Sequence, residues 1–310
     1  MPSKKFSASS LLWCHIGAIL AVSAWGVSFI STKILQADNG LTPTEVYLLR
    51  FSLAYLAILT VSHDRLWANS LRDEFLLFTG GLCGGSIYFM AENSSLQYTY
   101  VSNVALLTAL APLITALIVG LLYRSERPGV GLIIGSVMAF VGVSFVVFNS
   151  SGDPESAPSN QALGDTLAIL SAVGWSIYTI VLRKVNALYT AWFISRKTFF
   201  YGLLTALPFL LTQDHVSSPT VLTKPEVWGN ILFLGLFCSM GAYIIWAQTI
   251  KRLGPVKASN YLYLSPVVTL IASYIILGES ISLIGTIGCV LILGGVWLGD
   301  ELERRRKSKV

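Results

Sequence analysis

Ten stretches of about 20 mostly apolar residues succeed one another along this chain of 310 residues, and they constrain its fold most strongly. A helix of about that length crosses the hydrocarbon core of a bilayer. The stretches are continuous and do not alternate between apolar and polar residues, so they predict transmembrane helices and not β-barrel strands. They cover Leu11–Leu35, Thr44–Ser62, Glu74–Leu96, Val101–Tyr123, Gly129–Phe148, Gly164–Val185, Thr190–Leu211, Val227–Ile250, Val256–Leu277 and Ile281–Leu298.

The composition agrees with a lipid environment. Charged residues make up 12% of the chain, whereas typical soluble proteins contain about 25%. The apolar and aromatic residues reach 54% and the mean hydropathy is +0.68, which excludes a disordered chain. The four cysteines are far apart inside apolar stretches, so they do not predict a disulfide framework. The three histidines are isolated from one another, and we expect neither a metal nor a cofactor.

The first stretch has a second interpretation. Lys4 and Lys5 precede the apolar residues, and Val22–Ala24 resembles the cleavage site of a signal peptide. The apolar residues continue past that point to Ile30, and the internal repeat described below needs this helix. We therefore interpret the stretch as the first transmembrane helix.

The placement of Lys and Arg predicts the orientation. With a cytoplasmic N-terminus, 16 of the 21 Lys and Arg residues fall on the cytoplasmic side, and the linker 149–163 contains none. The positive-inside rule then predicts a multi-pass protein of the plasma (inner) membrane with both termini in the cytoplasm. The net charge of +5 follows this topology. We interpret the basic C-terminal run Arg304–Lys309 as an anchor to anionic lipid and not as a nucleic-acid site.

The two halves of the chain carry similar residues in the same order. Each half contains five of the predicted helices, and because five is odd, the second half enters the membrane from the opposite side. The sequence thus predicts an all-α integral membrane protein with two inverted five-helix repeats, residues 1–150 and residues 151–310, the second ending in the basic tail. The matched pairs are Trp25 and Trp175, Lys33 and Arg183, Arg50 and Arg196, Tyr88 and Tyr243, Pro112 and Pro266, and Glu126 and Glu279.

Several short motifs are spread over nearly the whole chain. They are Ala24–Gly26, Leu49–Phe51, Pro112 with Glu126, Gly164–Asp165, Leu264–Pro266 and Leu277–Glu279. Together with the ten predicted helices they resemble the drug/metabolite transporter superfamily, specifically its ten-helix EamA type. The resemblance implies a transporter, often an exporter of metabolites, amino acids or toxic compounds, and not an enzyme. Glu92 departs from the commonest pattern of that family, in which a neutral residue is more usual in this part of the third helix.

Glu92 is the most informative single residue, because a carboxylate in hydrocarbon costs several kcal/mol and usually faces a cavity or a partner. Gly81, Gly84, Tyr88 and Glu92 recur at three- and four-residue steps, which predicts one small and polar stripe beside a cavity. Burial favours the neutral form of a carboxyl, so Glu92 suits amine recognition, proton coupling or both. The alternative to these functional roles is a structural one, in which Glu92 makes a hydrogen bond to the protein or forms an ion pair with Lys33 or Arg50.

The other candidates are aromatic or polar residues within the predicted helices. Trp and Tyr rings suit amphipathic, partly aromatic or cationic solutes, although they also form belts at membrane interfaces. Arg50 and Arg196 suit a carboxylate or phosphate, although their repetition in both halves favours a structural duty such as capping a helix. The complete set of substrate-binding candidates is Trp25, Arg50, Tyr88, Glu92, Asn93, Asn103, Trp175, Tyr178, Arg196, Tyr243, Trp246 and Tyr263.

Pro112 and Pro266 fall inside the fourth and ninth predicted helices. A proline removes a backbone hydrogen bond and can kink a helix, so matched prolines in inverted repeats are candidate gate hinges. The alternative is that the two prolines serve helix packing.

These observations favour a secondary transporter that exports small metabolites, such as amino acids or amphipathic and cationic compounds, through a central site between the repeats. The alternative within transport is a nucleotide-sugar or phosphate-ester antiporter that holds its anion with Arg50 and Arg196. An integral membrane enzyme is the alternative from another class, but the sequence contains no HExxH, Walker or GxSxG motif. An ion channel is disfavoured because no filter-like segment lies between helices.

Overall fold

The computed structural model describes residues 8–62, 66–95, 98, 104, 107–123, 127–149, 160–211, 217–277 and 283–307, and it is built from helices. In these ranges, seven helices are long and apolar enough to cross a membrane. Ala111–Leu122 and Val130–Phe145 are apolar but shorter. The predicted stretch Thr190–Leu211 also forms a helix, Ala191–Leu211, which is not among the seven.

The α-helices are numbered in chain order, and in the described ranges three π-helical and two 3₁₀ segments accompany them. The α-helices are α1 (Ala8–Lys33), α2 (Pro43–Val61), α3 (Leu71–Gly81), α4 (Tyr88–Ser95), α5 (Ala111–Leu122), α6 (Val130–Asn149), α7 (Gln161–Val185), α8 (Ala191–Leu211), α9 (Pro225–Leu232), α10 (Ala242–Leu253), α11 (Pro255–Asn260), α12 (Ser265–Leu277) and α13 (Leu283–Lys307). The π segments are Ile34–Asp38, Leu82–Ile87 and Phe233–Gly241, and the 3₁₀ segments are Pro219–Thr223 and Tyr261–Leu264.

Local sequence signals set the start of α2. The Thr42 hydroxyl accepts a hydrogen bond from the Glu45 backbone N–H at 3.2 Å, and the Glu45 carboxylate accepts one from the Thr42 N–H at 2.8 Å. This reciprocal capping satisfies two N–H groups that the first turn leaves unpaired. Pro43 follows the cap, where its missing N–H costs nothing.

Two π segments lie at corresponding places in the two halves. Leu82–Ile87 joins α3 to α4, and Phe233–Gly241 joins α9 to α10, so each interrupts a continuous membrane-spanning helix. Tyr88 directly follows the first segment, and its matched residue Tyr243 lies two residues after the second. Interruptions of this kind are frequent at functional sites, because they leave backbone carbonyls free to accept other hydrogen bonds.

Pro112 and Pro266 lie inside the predicted stretches, and the helical stretch Pro255–Ile276 continues past Pro266. Each proline is nevertheless the second residue of an α-helical segment. Pro112 is the second residue of α5, after a turn in which the Leu110 N–H donates to the Leu107 carbonyl. Pro266 is the second residue of α12, after the 3₁₀ segment Tyr261–Leu264. In the first turn of a helix the missing N–H of proline has no partner to lose. Both prolines therefore lie at matched places where the form of the helical stretch changes, and their role as gate hinges stays a prediction.

The glycine stripe of the third predicted helix is a packing surface, which corrects the expectation that it borders a cavity. A Cβ on Gly84 would lie 2.3 Å from Cγ of Tyr178 in α7, and a Cβ on Gly81 would lie 2.5 Å from Cβ of Tyr201 in α8. Small residues of this kind let membrane helices approach closely. The stripe thus holds the helix against α7 and α8.

A second close contact joins α6 to α13. A Cβ on Gly135 would lie 2.5 Å from the Gly295 carbonyl oxygen, and one on Gly142 would lie 2.7 Å from the Gly288 carbonyl oxygen. The outer surfaces of the pair carry exposed apolar side chains, Trp297 among them at 68% exposure. Such a surface suits contact with lipid tails.

Candidate functional site

Six of the predicted aromatic residues meet in one cluster at the centre of the helices, which we call the central ring cluster. It consists of Trp25 from α1, Tyr88 from α4, Trp175 and Tyr178 from α7, and Tyr243 and Trp246 from α10. The ring centroids of Trp25 and Trp175 are 5.2 Å apart in an edge-to-face arrangement. The ring centroids of Trp25 and Trp246 are also 5.2 Å apart, and the angle between their ring planes is 66°. Tyr88 lies 5.1 Å from Trp175, and Tyr178 lies 5.7 Å from Tyr243. These distances are those of favourable aromatic pairs, so the rings fill the space between them in this conformation.

The π segments help to fix two of the rings. The Trp25 indole N–H donates to the carbonyl of Cys238 in the Phe233–Gly241 segment at 2.8 Å. The Tyr243 hydroxyl donates to the carbonyl of Gly84 in the Leu82–Ile87 segment, also at 2.8 Å. Each segment therefore accepts a hydrogen bond from a ring of the central ring cluster.

Two other rings carry buried donors that are left without an acceptor. Among the described residues, the indole N–H groups of Trp175 and Trp246 have no hydrogen-bond partner, although the two side chains are 5% and 0% exposed. A buried polar group without a partner costs about 1–3 kcal/mol. Donors of this kind are suited to an acceptor supplied by a ligand.

Glu92 lies beside this cluster and is 6% exposed. The Tyr88 hydroxyl, one helical turn earlier, donates to its Oε1 at 3.0 Å. Among the described residues, Tyr88 is the side chain that donates a hydrogen bond to the Glu92 carboxylate. Arg50 carries the positive charge that interacts electrostatically with the same carboxylate. The proposed partner Arg50 is therefore near Glu92, but the two groups do not form an ion pair.

Arg50 is also buried, at 5% exposure. Its Nε donates to the Ser239 hydroxyl in the Phe233–Gly241 segment at 2.9 Å, and its guanidinium carbon lies 4.9 Å from the centroid of the Phe89 ring. Sequence reasoning missed Ser239 and Phe89, although Phe89 follows Tyr88 directly and is three residues before Glu92.

The structure does not bring Arg196 to the same place. Arg196 donates from Nη1 to the carbonyl of Ser62, the residue that ends α2, at 2.9 Å. Ser62 is twelve residues after Arg50, which is about 18 Å along the helix axis at 1.5 Å per residue. A small anion cannot contact both arginines across that distance. Lys197, for which snorkelling is the ordinary expectation, is buried and forms an ion pair with Glu74.

Three further candidates lie elsewhere or outside the described part of the chain. Tyr263 is buried in a separate apolar cluster with Ala139, Val143 and Ile292. Asn93 is buried next to Glu92 in α4. Asn103 falls outside the described residues.

The chain matches the model of the EamA-like transporter family twice, over residues 12–148 and 162–298. It belongs to the EamA-like transporter family. The resemblance inferred from the sequence motifs is thereby confirmed, and the two matched regions correspond to the two halves of the chain. The central ring cluster of this EamA-like transporter takes Trp25 and Tyr88 from the first region and its other four rings from the second.

Other proteins named as transporters resemble this EamA-like transporter over most of their length. An uncharacterized transporter of Archaeoglobus fulgidus is 28% identical over 286 residues, covering 92% of this chain and 96% of the relative. A probable terminal-alkyne amino-acid exporter of Streptantibioticus cattleyicolor is 25% identical over 298 residues, covering 94% of this chain and 95% of the relative. One crystal structure superimposes with a TM-score of 0.75 at 22% identity, covering 96% of this chain and 99% of that one, and it supports the fold alone.

Proposed function

We propose that this EamA-like transporter is a secondary transporter that exports small organic solutes, amino acids and amphipathic cations among them, by alternating access. The observation that carries the proposal is the central ring cluster, which is buried and assembled from both matched halves. Binding sites of repeat-built transporters lie near the midplane of the membrane, between the repeats.

We further propose ten membrane helices arranged as two inverted repeats, with both termini in the cytoplasm. The matched π segments before Tyr88 and Tyr243 support this arrangement, as do the matched helix starts at Pro112 and Pro266. The Lys and Arg distribution supports the orientation.

Close packing suggests which helices move together. The helix formed by α3 and α4 contacts α7 and α8 through Gly81 and Gly84, and we call these helices the first bundle. The helix formed by α9 and α10 packs in the same way on α1 and α2: a Cβ on Gly235 would lie 2.7 Å from Cδ2 of Leu53, and a Cβ on Gly17 would lie 3.0 Å from Cγ2 of Ile245. We call α1, α9 and α10 the second bundle; α2 contacts both bundles, because a Cβ on Gly202 of α8 would lie 2.6 Å from the Tyr47 hydroxyl oxygen. Each bundle thus combines helices from both repeats.

The central ring cluster divides between the two bundles. Tyr88, Trp175 and Tyr178 belong to the first, and Trp25 and Tyr243 belong to the second together with Trp246. Movement of one bundle against the other would separate these two groups of rings and open the space between them to a solute. Edge-to-face contacts across the boundary, such as Trp25 with Trp175, would stabilise the closed arrangement.

The position of Glu92 supports coupling of export to proton entry. A buried carboxyl beside a binding site exchanges a proton with a competing amine or cation, and such residues are typical of proton relays in membranes. The antiport of phosphate esters has less support, because Arg196 in α8 contacts the carbonyl of Ser62, which is 12 residues after Arg50 along the chain.

Counterflow in proteoliposomes tests the proposal. Purified protein is placed in vesicles loaded with an amino acid, an organic cation or a phosphate ester, and exchange of labelled solute is measured with and without a pH gradient. We expect exchange of an amino acid or cation, and its loss in Trp175→Ala. Trp297→Ala removes an exposed ring at the outer surface and should retain exchange. Absence of exchange for every solute class would refute the proposal.

A further inference from the structure

A cavity separate from the central ring cluster lies between the two bundles, where α8 begins and α10 ends. Its volume is about 280 Å³, which is the space of about nine water molecules at roughly 30 Å³ each. In the proposed orientation both helix ends face the cytoplasm, so the cavity lies at the cytoplasmic surface of the membrane. Its lining consists of Thr190, Ala191 and Trp192 around the start of α8, and of Gln248, Lys251 and Arg252 near the end of α10.

The cavity carries positive charge. Lys251 and Arg252 supply two cationic side chains, and no carboxylate is among the described residues that line it. The carboxylates of Asp73 and Glu74, at the start of α3, accept hydrogen bonds from the first bundle and from the loop between α7 and α8. The two positive charges therefore favour an anion in the cavity.

Three of the lining side chains have hydrogen-bonding capacity to spare. Trp192, Gln248 and Lys251 make no hydrogen bond or ion pair with the described residues. An indole N–H, an amide and an ammonium group all donate hydrogen bonds, and a phosphate accepts several at once, most strongly from a cation. A Trp at this level is also typical of the interface between lipid and water.

An exposed apolar stripe on α8 leads from the level of this cavity into the membrane. Phe200, Leu204 and Leu207 are exposed and follow one another at four- and three-residue steps, so they share one face of the helix. Phe200 is eight residues after Trp192, which is about 12 Å along the helix axis. Because half of the hydrocarbon core is about 15 Å thick, the stripe lies at the depth of acyl chains. A ligand with an acidic headgroup and an acyl chain therefore matches both features.

We propose that the cavity binds the phosphate headgroup of an anionic phospholipid of the cytoplasmic leaflet, and that an acyl chain of this lipid lies along the stripe. Lys251 and Arg252 contact the phosphate, and Trp192 donates its indole N–H to the headgroup. Basic pockets between membrane helices on the cytoplasmic side bind anionic headgroups in this way. In the described part of the chain no residue of α13 lines the cavity, so the site is separate from the basic C-terminal run. The inference depends on the proposed orientation and not on the transported solute.

The position of the cavity connects lipid binding to the movement of the bundles. Trp192 belongs to α8 in the first bundle, whereas Lys251 belongs to α10 in the second. A hydrogen bond crosses the same boundary, from Nδ2 of Asn186 at the end of α7 to the Ala247 carbonyl in α10, at 2.9 Å. A ligand favours the state that it binds more tightly. A lipid that contacts both bundles therefore stabilises the arrangement in which these helix ends are close together.

Thermal unfolding of the full chain in an uncharged detergent tests the inference with three probes. Phosphatidylglycerol carries a net negative charge and acyl chains, phosphatidylcholine carries the chains without net charge, and glycerol 3-phosphate carries the acidic headgroup without chains. We expect phosphatidylglycerol to raise the melting temperature more than either of the other two at the same concentration, because a ligand of the folded state stabilises it. An equal rise with phosphatidylcholine would overturn the headgroup site, and an equal rise with glycerol 3-phosphate would overturn the lipid in favour of a soluble anion.

A pair of double variants separates this cavity from a general attraction between the basic protein and acidic lipid. Lys251→Gln with Arg252→Gln should raise the phosphatidylglycerol concentration that gives half of the temperature rise by at least about tenfold, because each basic residue strengthens binding to anionic lipid by about fivefold. Lys184→Gln with Arg72→Gln removes the same charge from exposed residues on the same side of the membrane, outside the cavity, and should behave as the parent does. Equal weakening in the two double variants would overturn the inference.

A single variant keeps the test decisive if the first double variant does not fold. Lys251 is exposed, so Lys251→Gln alone should fold and should weaken phosphatidylglycerol by about fivefold, whereas Lys184→Gln should not. Parent-like binding in Lys251→Gln would overturn the site. The measurement involves no transported solute, so its outcome is independent of the counterflow experiment.

Discussion

Gly84→Ala tests the contact between the glycine stripe and the central ring cluster. The new Cβ would lie 2.3 Å from Cγ of Tyr178, and 2.6 and 2.8 Å from its two Cδ atoms. Carbon atoms in contact are normally about 3.5–4.0 Å apart, so the ring has to move by more than about 1 Å. Trp175 and Tyr243 pack on the same ring at centroid distances of 5.3 and 5.7 Å and resist that movement. Overpacking of this kind costs about 1–3 kcal/mol.

The assay is thermal unfolding of the purified protein in detergent, followed by amino-acid counterflow in vesicles. We expect Gly84→Ala to melt at a lower temperature and to exchange solute more slowly, because the displaced Tyr178 disturbs the site. Gly80→Ala, one turn earlier on the same face, is the matched control. Its Cβ would lie 3.3 Å from Cγ1 of Val181, a contact that a small shift relieves, and we expect a change below about 0.5 kcal/mol. Parent-like melting and exchange in Gly84→Ala would refute the reasoning.

Four further predictions follow from the proposed mechanism and topology. Glu92→Gln keeps the shape of the side chain but cannot titrate, so gradient-driven transport should collapse while the protein stays folded; a lower melting temperature with normal pH dependence would contradict the coupling role. Pro112→Ala and Pro266→Ala should each slow counterflow with modest loss of folded protein, and unchanged rates in both single variants and the double variant would show that the prolines only fill space. A cysteine at position 155 should react with an impermeant reagent from outside, and labelling from the cytoplasm only would overturn the inverted repeats. Arg196→Gln should cost about 1–3 kcal/mol in unfolding experiments because the Ser62 carbonyl loses its donor, and normal melting would contradict that role.

The sequence was sufficient to predict the helical architecture and most of the central ring cluster. Long apolar stretches admit few structures in lipid, and the described helices follow the predicted stretches closely, as Gln161–Val185 does for Gly164–Val185. The matched order of Trp25 with Trp175 and of Tyr88 with Tyr243 singled out residues that do meet. Matched residues of related repeats are expected near the interface between them, and these four rings do lie together there. Tyr178 and Trp246 were candidates because they are aromatic residues within predicted helices.

Other features depend on tertiary contacts that the sequence does not contain. The sequence does not distinguish a helical glycine that borders a cavity from one that borders a neighbouring helix. The position of Tyr178 in the structure shows that Gly84 borders a helix. Arg50 and Arg196 are equivalent in sequence, but Arg50 contacts Ser239 and Arg196 contacts Ser62. An apolar stretch also does not reveal a turn or a 3₁₀ segment within it, such as those that precede Pro112 and Pro266.

The Leu82–Ile87 π segment lies between Gly81, which packs on a neighbouring helix, and Tyr88 and Glu92, which belong to the proposed site. A π turn contains one more residue than an α turn, so every side chain beyond it is rotated by roughly one residue step, or about 100°. Without that rotation, Tyr88 and Glu92 would continue the line of Gly81 and Gly84 toward neighbouring helices. Loss of a single residue from this segment would therefore turn the ring and the carboxylate away from the centre while leaving every side chain of the helix chemically intact. At this place the length of the chain, and not only its chemistry, determines which way the residues of the proposed site face.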